Sequence, residues 1–122
     1  MNSKGAVFFR KTVADYINRR DGVDDSHENK IYLCNGASEA VRLSFTSLIR
    51  SPNDGILVPI PQYPLYSAQI TLNGGQLLPY YLDEDTGWTM NIEDVQAEID
   101  KSENEGFTPR AIVVINPGNP TG

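Results

Sequence analysis

The run Ala111-Ile112-Val113-Val114-Ile115 stops abruptly in Asn116-Pro117-Gly118-Asn119-Pro120-Thr121-Gly122. An apolar, largely β-branched run of this kind reads as a buried strand. Each proline disfavours helix at the asparagine before it, so Asn116 and Asn119 are held extended. Glycine admits backbone conformations that other residues do not tolerate. The product is a stiff loop on the C-terminal edge of a strand, where open α/β sheets place their ligands.

The rest of the chain supplies the partners such a strand needs. Residues 6–20 carry Phe9, Val13, Tyr16 and Ile17 on one helical face, with Arg19 and Arg20 suited to its negative end and Gly22 to the C′ position. Residues 21–30 read as a polar loop around a solvated His27. Ile31-Tyr32-Leu33-Cys34 reads as a short strand. Asn35-Gly36-Ala37-Ser38 turns it into a helix, with Ala37, Ala40, Val41, Ser44, Phe45 and Leu48 at helical spacing and Pro52 and Gly55 closing it. Ile56-Leu57-Val58 is a second strand, ended by Pro59. A helix follows from Pro61, with Pro64 in its first turn and Gly74-Gly75 at its end. Residues 76–82 are extended, and Pro79 suggests an edge or a strand end. Asp85-Thr86-Gly87 is a turn. Asn91 with Asp94 resembles a capping box before a helix through Val95 and Ile99 to Gly106. Residues 110–115 form the last strand. Strands alternating with helices mean βαβ units, so the expected class is α/β, with a mostly parallel sheet and helices on both faces.

Charge and cysteine content narrow the function. The formal net charge of −6 at pH 7 disfavours nucleic acid and anionic membrane as partners. No apolar stretch approaches the roughly 18 residues that span a bilayer, and the opening residues lead into an amphipathic segment rather than a signal-peptide core. The single cysteine, Cys34, allows no internal disulfide and points to a reducing compartment. Its expected place is the core. No metal site is expected. A soluble intracellular chain, one domain or part of one, is the expectation.

Three loops at strand C-terminal ends can carry chemistry. Gly36-Ala37-Ser38 opens a helix, where unpaired N–H groups and the helix dipole favour an anion and the Ser38 hydroxyl adds a donor. The alternative is an ordinary strand–helix turn. Tyr63 and Tyr66 stand among prolines, so either ring could stack on a planar heterocycle or simply pack. The Asn119 amide offers a donor and an acceptor, unless the loop is a plain turn. Together a phosphate cradle, an aromatic plate and an amide donor describe a phosphorylated, planar, oxygen-bearing ring. Pyridoxal 5′-phosphate fits. A nicotinamide cofactor fits worse, because no Gly-x-Gly-x-x-Gly follows any strand.

The chain resembles the class I/II, fold-type I pyridoxal-phosphate aminotransferases, and within them the alanine aminotransferase group. Asp54-Gly55-Ile56-Leu57-Val58-Pro59-Ile60-Pro61-Gln62-Tyr63-Pro64-Leu65-Tyr66-Ser67-Ala68 carries the likeness. So do Pro79-Tyr80-Tyr81-Leu82-Asp83-Glu84, Gly87-Trp88 and the closing Asn-Pro-Gly-Asn-Pro-Thr-Gly. The resemblance implies the large three-layer α/β/α domain. It implies that Gly36, Ala37 and Ser38 hold the cofactor phosphate and that Tyr63 stacks on the pyridine ring. Tyr66 would lie near that ring. Asn119 would bond the ring's 3-oxygen and help place the substrate carboxylate, while Asn116 shapes the loop.

The family also needs a lysine that bonds the cofactor covalently, an acidic residue for the pyridine nitrogen and an arginine for the substrate carboxylate. In the family all three lie beyond the Asn-Pro-Thr-Gly loop. Lys4, Lys11, Lys30 and Lys101 do not stand in the lysine's sequence context. The Schiff-base lysine is therefore expected downstream of Gly122. The expectation is a partial large domain without the N-terminal arm, the lysine region or the small domain, inactive on its own. The parent would be a homodimer, in the cytoplasm or the mitochondrial matrix, moving an amino group from L-alanine to 2-oxoglutarate. The alternatives are another class I/II aminotransferase or a β-lyase on the same cofactor, or a truncated, non-catalytic polypeptide.

Overall fold

The computed structural model describes residues 3–122. It contains two compact units, Met1–Ala40 and Val41–Gly122.

In the first unit, helix α1 runs Val7–Asp21 and stops as the glycine dictates: Gly22 has φ 65° and its N–H reaches Asn18 O. Its burial departs from the apolar periodicity. Phe9 and Tyr16 are exposed, whereas Arg10 and Ala14 are buried. The reason is hydrogen bonding. Arg10 Nε donates to Gly5 O at 3.1 Å and its Nη1 donates to Glu28 O, so the guanidinium is drawn inside with its donors used. Glu28–Lys30 is a short 3-10 turn within the segment expected as loop. Asn18 clasps Ser26, donating to its carbonyl and accepting from its N–H, both at 3.0 Å.

The strand expected at Ile31-Tyr32-Leu33-Cys34 does not form. Its backbone bonds are local or isolated, Ile31 N–H to Glu28 O at 3.3 Å, Leu33 N–H to Lys4 O at 3.0 Å and Gly36 N–H to Cys34 O at 3.0 Å. Among the described residues it has no ladder partner, and a strand exists only by pairing. Cys34 is consequently exposed rather than in the core.

Helix α2, Ala37–Leu48, begins in the first unit and continues into the second. There follow β1 (Asp54–Ile60), α3 (Leu65–Leu72), β2 (Gln76–Asp83), β3 (Thr89–Met90), α4 (Ile92–Asn104) and β4 (Thr108–Ile112). The sheet order is β3-β2-β1-β4. β1 runs parallel to both β2 and β4, and only the short β3 is antiparallel. The class is therefore α/β with a mostly parallel sheet.

Alternation along β1 sorts the core. Ile56 and Val58 face Phe45 and Ile49 at the end of α2 and Ile70 of α3. Leu57 faces the other way, joining Leu78 and Tyr80 of β2 against Val95 and Ile99 of α4. Helices thus cover both faces. Gly55 is required by closeness: a Cβ there would lie 2.5 Å from Leu78 Cδ1.

Other elements differ from the sequence reading. α3 begins at Leu65 with Pro64 at its N-cap, not at Pro61. β1 does not end at Pro59 but carries it as a buried residue inside the central strand. β3 has only two residues, too short to leave a periodic signal. β4 starts earlier and ends at Ile112, with Val113 N–H still bonded to Leu57 O at 2.8 Å. Asn91 does cap α4, accepting from Glu93 N–H at 2.9 Å rather than forming a box with Asp94.

One extra residue, Arg110, bulges β4 between the pairs Gly55–Pro109 and Ile56–Ala111. Its Nε donates to Asp54 Oδ1 at 2.6 Å. The Asp54 carboxylate also accepts from Arg50 and Ser51 N–H, each at 2.8 Å. The Arg50 amide first, then Arg110, then the Ser51 amide hold its pKa down at about 2. Among the described residues no helix is long and apolar enough to cross a membrane.

Candidate functional site

Gly36 sets the entrance to α2. With φ +88° it takes the left-handed backbone, and open space lies where a Cβ would stand. Its carbonyl accepts the Ala40 N–H at 3.3 Å, so it is the residue at which the helix begins. Glu39 Oε2 reaches back to Asn35 N–H at 2.7 Å. Gly36, Ala37 and Ser38 are exposed. The first amides of the helix have no intrahelical acceptors, and the dipole adds positive character there. The Gly36 N–H donates to Cys34 O at 3.0 Å, so Ala37 and Ser38 are the candidates to meet an anion at this end of α2.

At the end of β1, the residues leading into α3 present Tyr63, 49% exposed. Its ring is free to receive a flat partner. Tyr66 differs. It packs against the core beside Phe45, ring centroids 6.4 Å apart, and is half-buried. Packing accounts for most of it. Between the prolines, Gln62 Oε1 is buried with no hydrogen-bond partner among the described residues, an orphaned acceptor directly before Tyr63.

The closing loop is held by its own turn. Gly122 N–H donates to Gly118 O at 2.9 Å, and a Cβ on Gly118 would lie 2.2 Å from Thr121 Oγ1. Only glycine fits there. Asn116 and Asn119 are both exposed. A cavity of about 360 Å³ opens beside the loop, lined by Tyr80, Leu82, Trp88, Val114 and Asn116 among others. Neither Tyr63 nor Asn119 lines it, so it is separate from the two residues expected to meet a ring.

Tyr63 and Asn119 follow the C-terminal ends of adjacent strands, β1 and β4, in one unit. Gly36, Ala37 and Ser38 belong to the other unit. Taken by itself, the second unit offers an exposed phenol ring and an exposed carboxamide; the first offers the exposed start of α2, where the Gly36 N–H already donates to Cys34 O at 3.0 Å. Sequence reasoning missed Gln62 and Tyr80. Tyr80 is buried on β2, its hydroxyl donating to Val113 O at 2.6 Å. A proline inside a strand was the signal that could have drawn attention to it.

With this geometry in place, the chain is a member of the class I and II aminotransferases: the model of that family matches residues 1–122. It is 50% identical over 121 residues to the mitochondrial alanine aminotransferase 2 of Arabidopsis thaliana, covering 99% of this chain and 22% of the relative. It is 49% identical over 121 residues to glutamate–glyoxylate aminotransferase 1 of the same plant, covering 99% and 25%. The alanine aminotransferase of Pyrococcus furiosus superposes with a TM-score of 0.80 at 31% identity, over 99% of this chain and 29% of that one. The chain thus spans about a quarter of the relatives it matches, and its fold is that of the fold-type I aminotransferases.

Proposed function

We propose that the protein to which this chain belongs is a pyridoxal-phosphate-dependent aminotransferase that moves an amino group from L-alanine to 2-oxoglutarate, giving pyruvate and L-glutamate. The observation that carries this is the 50% identity to a plant alanine aminotransferase over 121 residues, 99% of this chain. The donor set supports the cofactor.

The residues divide the task. The Ala37 and Ser38 amides and the Ser38 hydroxyl, at the turn that Gly36 makes, would hold the phosphate dianion at the positive end of α2. Tyr63 would stack on the ring. Asn119 donates to the ring's 3-oxygen and orients the substrate carboxylate. Tyr66, tied into the core, limits the space beside the ring. The cofactor, when bound, supplies the electron sink that makes the substrate's α-hydrogen acidic. The base for that proton is a lysine outside residues 1–122, and this stretch is one part of the large domain. The protein works as a homodimer, in the cytoplasm or the mitochondrial matrix.

A second reading has a specific basis. The near-equal identity to a glutamate–glyoxylate aminotransferase favours the same cofactor chemistry with glyoxylate as acceptor. Competition assays on the full-length protein, alanine with 2-oxoglutarate against glutamate with glyoxylate, separate the two. Turnover with the first pair well above the second is expected, and the reverse order overturns the alanine reading. Asn119→Ala is expected to shift the visible absorbance of the bound cofactor. An unchanged spectrum and rate would remove Asn119 from the site.

A further inference from the structure

Pro59 lies near the end of the central strand, paired with Tyr80 of β2 and two residues beyond Leu57, where the pairing with β4 ends. Proline has no N–H, so inside a sheet it leaves a ladder bond unmade. The register says which one. Val113 N–H donates to Leu57 O at 2.8 Å. In a parallel ladder, a residue that donates to one position turns its carbonyl toward the N–H two positions further along. For Val113 that position is Pro59. The Val113 carbonyl therefore faces a nitrogen with nothing to donate.

The structure provides a substitute. Tyr80 Oη donates to Val113 O at 2.6 Å. Tyr80 is the register partner of Pro59 on β2, so its phenol reaches past the central strand to the end of β4. Pro79 makes an instructive contrast. Strand alternation turns its nitrogen away from β1, and no bond to the central strand is lost there.

Among the described residues, Val113 makes the last backbone tie between this segment and β1 before the chain enters the Asn-Pro loop. We propose that Tyr80 is a positioning residue for that loop: its hydroxyl replaces the amide that Pro59 lacks, anchors the chain at Val113, and so sets where Asn119 presents its carboxamide to the cofactor. The proposal rests on the reading that Asn119 meets the cofactor. Tyr80 is 2% exposed, and burial pushes its phenol pKa up, so the hydroxyl keeps the proton it donates.

The test uses the full-length protein. Tyr80→Phe removes the hydroxyl and keeps the ring. Amide exchange across residues 113–118 of the cofactor-free protein is expected to quicken about fivefold to tenfold, the worth of one hydrogen bond. Pyridoxal phosphate affinity is expected to fall by about the same factor, again as one hydrogen bond lost. Adding Pro59→Ala returns a backbone N–H to Val113 and is expected to restore both. A space-filling role for the phenol would not be rescued in this way. Unchanged exchange in Tyr80→Phe, or a double variant no better than the single, overturns the proposal. Faster exchange with unchanged cofactor affinity overturns the link from the anchor to Asn119. An Asn119→Ala protein with unaltered affinity would instead sink the reading beneath it. If Tyr80→Phe does not accumulate as folded protein, the double variant, which has its donor back, must do so. Failure of both overturns the proposal.

Discussion

Strand β1 and helix α1 bury opposite kinds of side chain. In β1, Ile56 and Val58 are wholly buried. In α1, Phe8 is 74% exposed and Phe9 60%, their rings edge to face at 5.5 Å, while Arg10 is 2% exposed. The strand is sorted by apolar contact: α2 and α3 lie on one face and α4 on the other. The helix is sorted by hydrogen bonding: the carbonyls of Gly5 and Glu28 take the guanidinium. Apolar periodicity tells which residues share a face. What lies opposite decides whether that face is buried.

Substitutions can break this comparison. The largest effect is expected at the centre of the sheet. Ile56→Ala should cost about 2–5 kcal/mol, as cavity-forming core truncations do, read as a lowered denaturant midpoint. Arg10→Met should come next. It keeps the bulk, takes the Arg10 donor from Gly5 O and leaves Glu28 O only the Ile31 N–H at 3.3 Å, at about 1–3 kcal/mol for a carbonyl that stays buried. Faster proteolysis within residues 21–30 would accompany it. If Arg10→Met proves neutral, hydrogen bonding is not what orders α1.

Acid sharpens the strand's side of the comparison. Asp54 has a folded-state pKa of about 2, below the ordinary carboxylate value. Its contribution is therefore full above about pH 4 and is lost as pH falls through about 2. Midpoints followed over that window should fall steeply for the wild type and less steeply for Asp54→Asn. Equal slopes would separate Asp54 from the acid limb. The smallest effect is expected at Phe8→Ala, within about 0.5 kcal/mol, as at other exposed sites. A larger cost there than at Arg10 would invert the comparison.

Much of the second unit was legible in the sequence, for identifiable reasons. The run Ile56-Leu57-Val58 is β-branched and apolar, and Phe45 and Leu48 keep helical spacing, so both elements form where expected. Gly74 ends α3 with φ +71°, as its position suggested. The misses share a cause. Ile31-Tyr32-Leu33-Cys34 has strand composition but no neighbour to pair with, and pairing cannot be read from one segment. Pro59 looked like a strand's end because the hydroxyl that permits it lies on another strand. Of the candidate site, the loop positions of Tyr63 and Asn119 were legible, while the exposure of Tyr63 was left open between stacking and packing. The core packing of Tyr66 was not, because it depends on Phe45 arriving from α2.

The bulge at Arg110 works as a phase setter. Up to Pro109 the strand alternates in one sense, and the extra residue reverses it, so that Ala111 and Val113 fall on the core side and Arg110 is released toward Asp54. A one-residue deletion before Thr108 falls in the turn, which can absorb it. The same deletion between Thr108 and Val113 would swap the two faces of the strand's end and launch the Asn-Pro loop on the opposite side of the sheet. Length changes in this short stretch are therefore expected to be selected against far more strongly than changes of residue type.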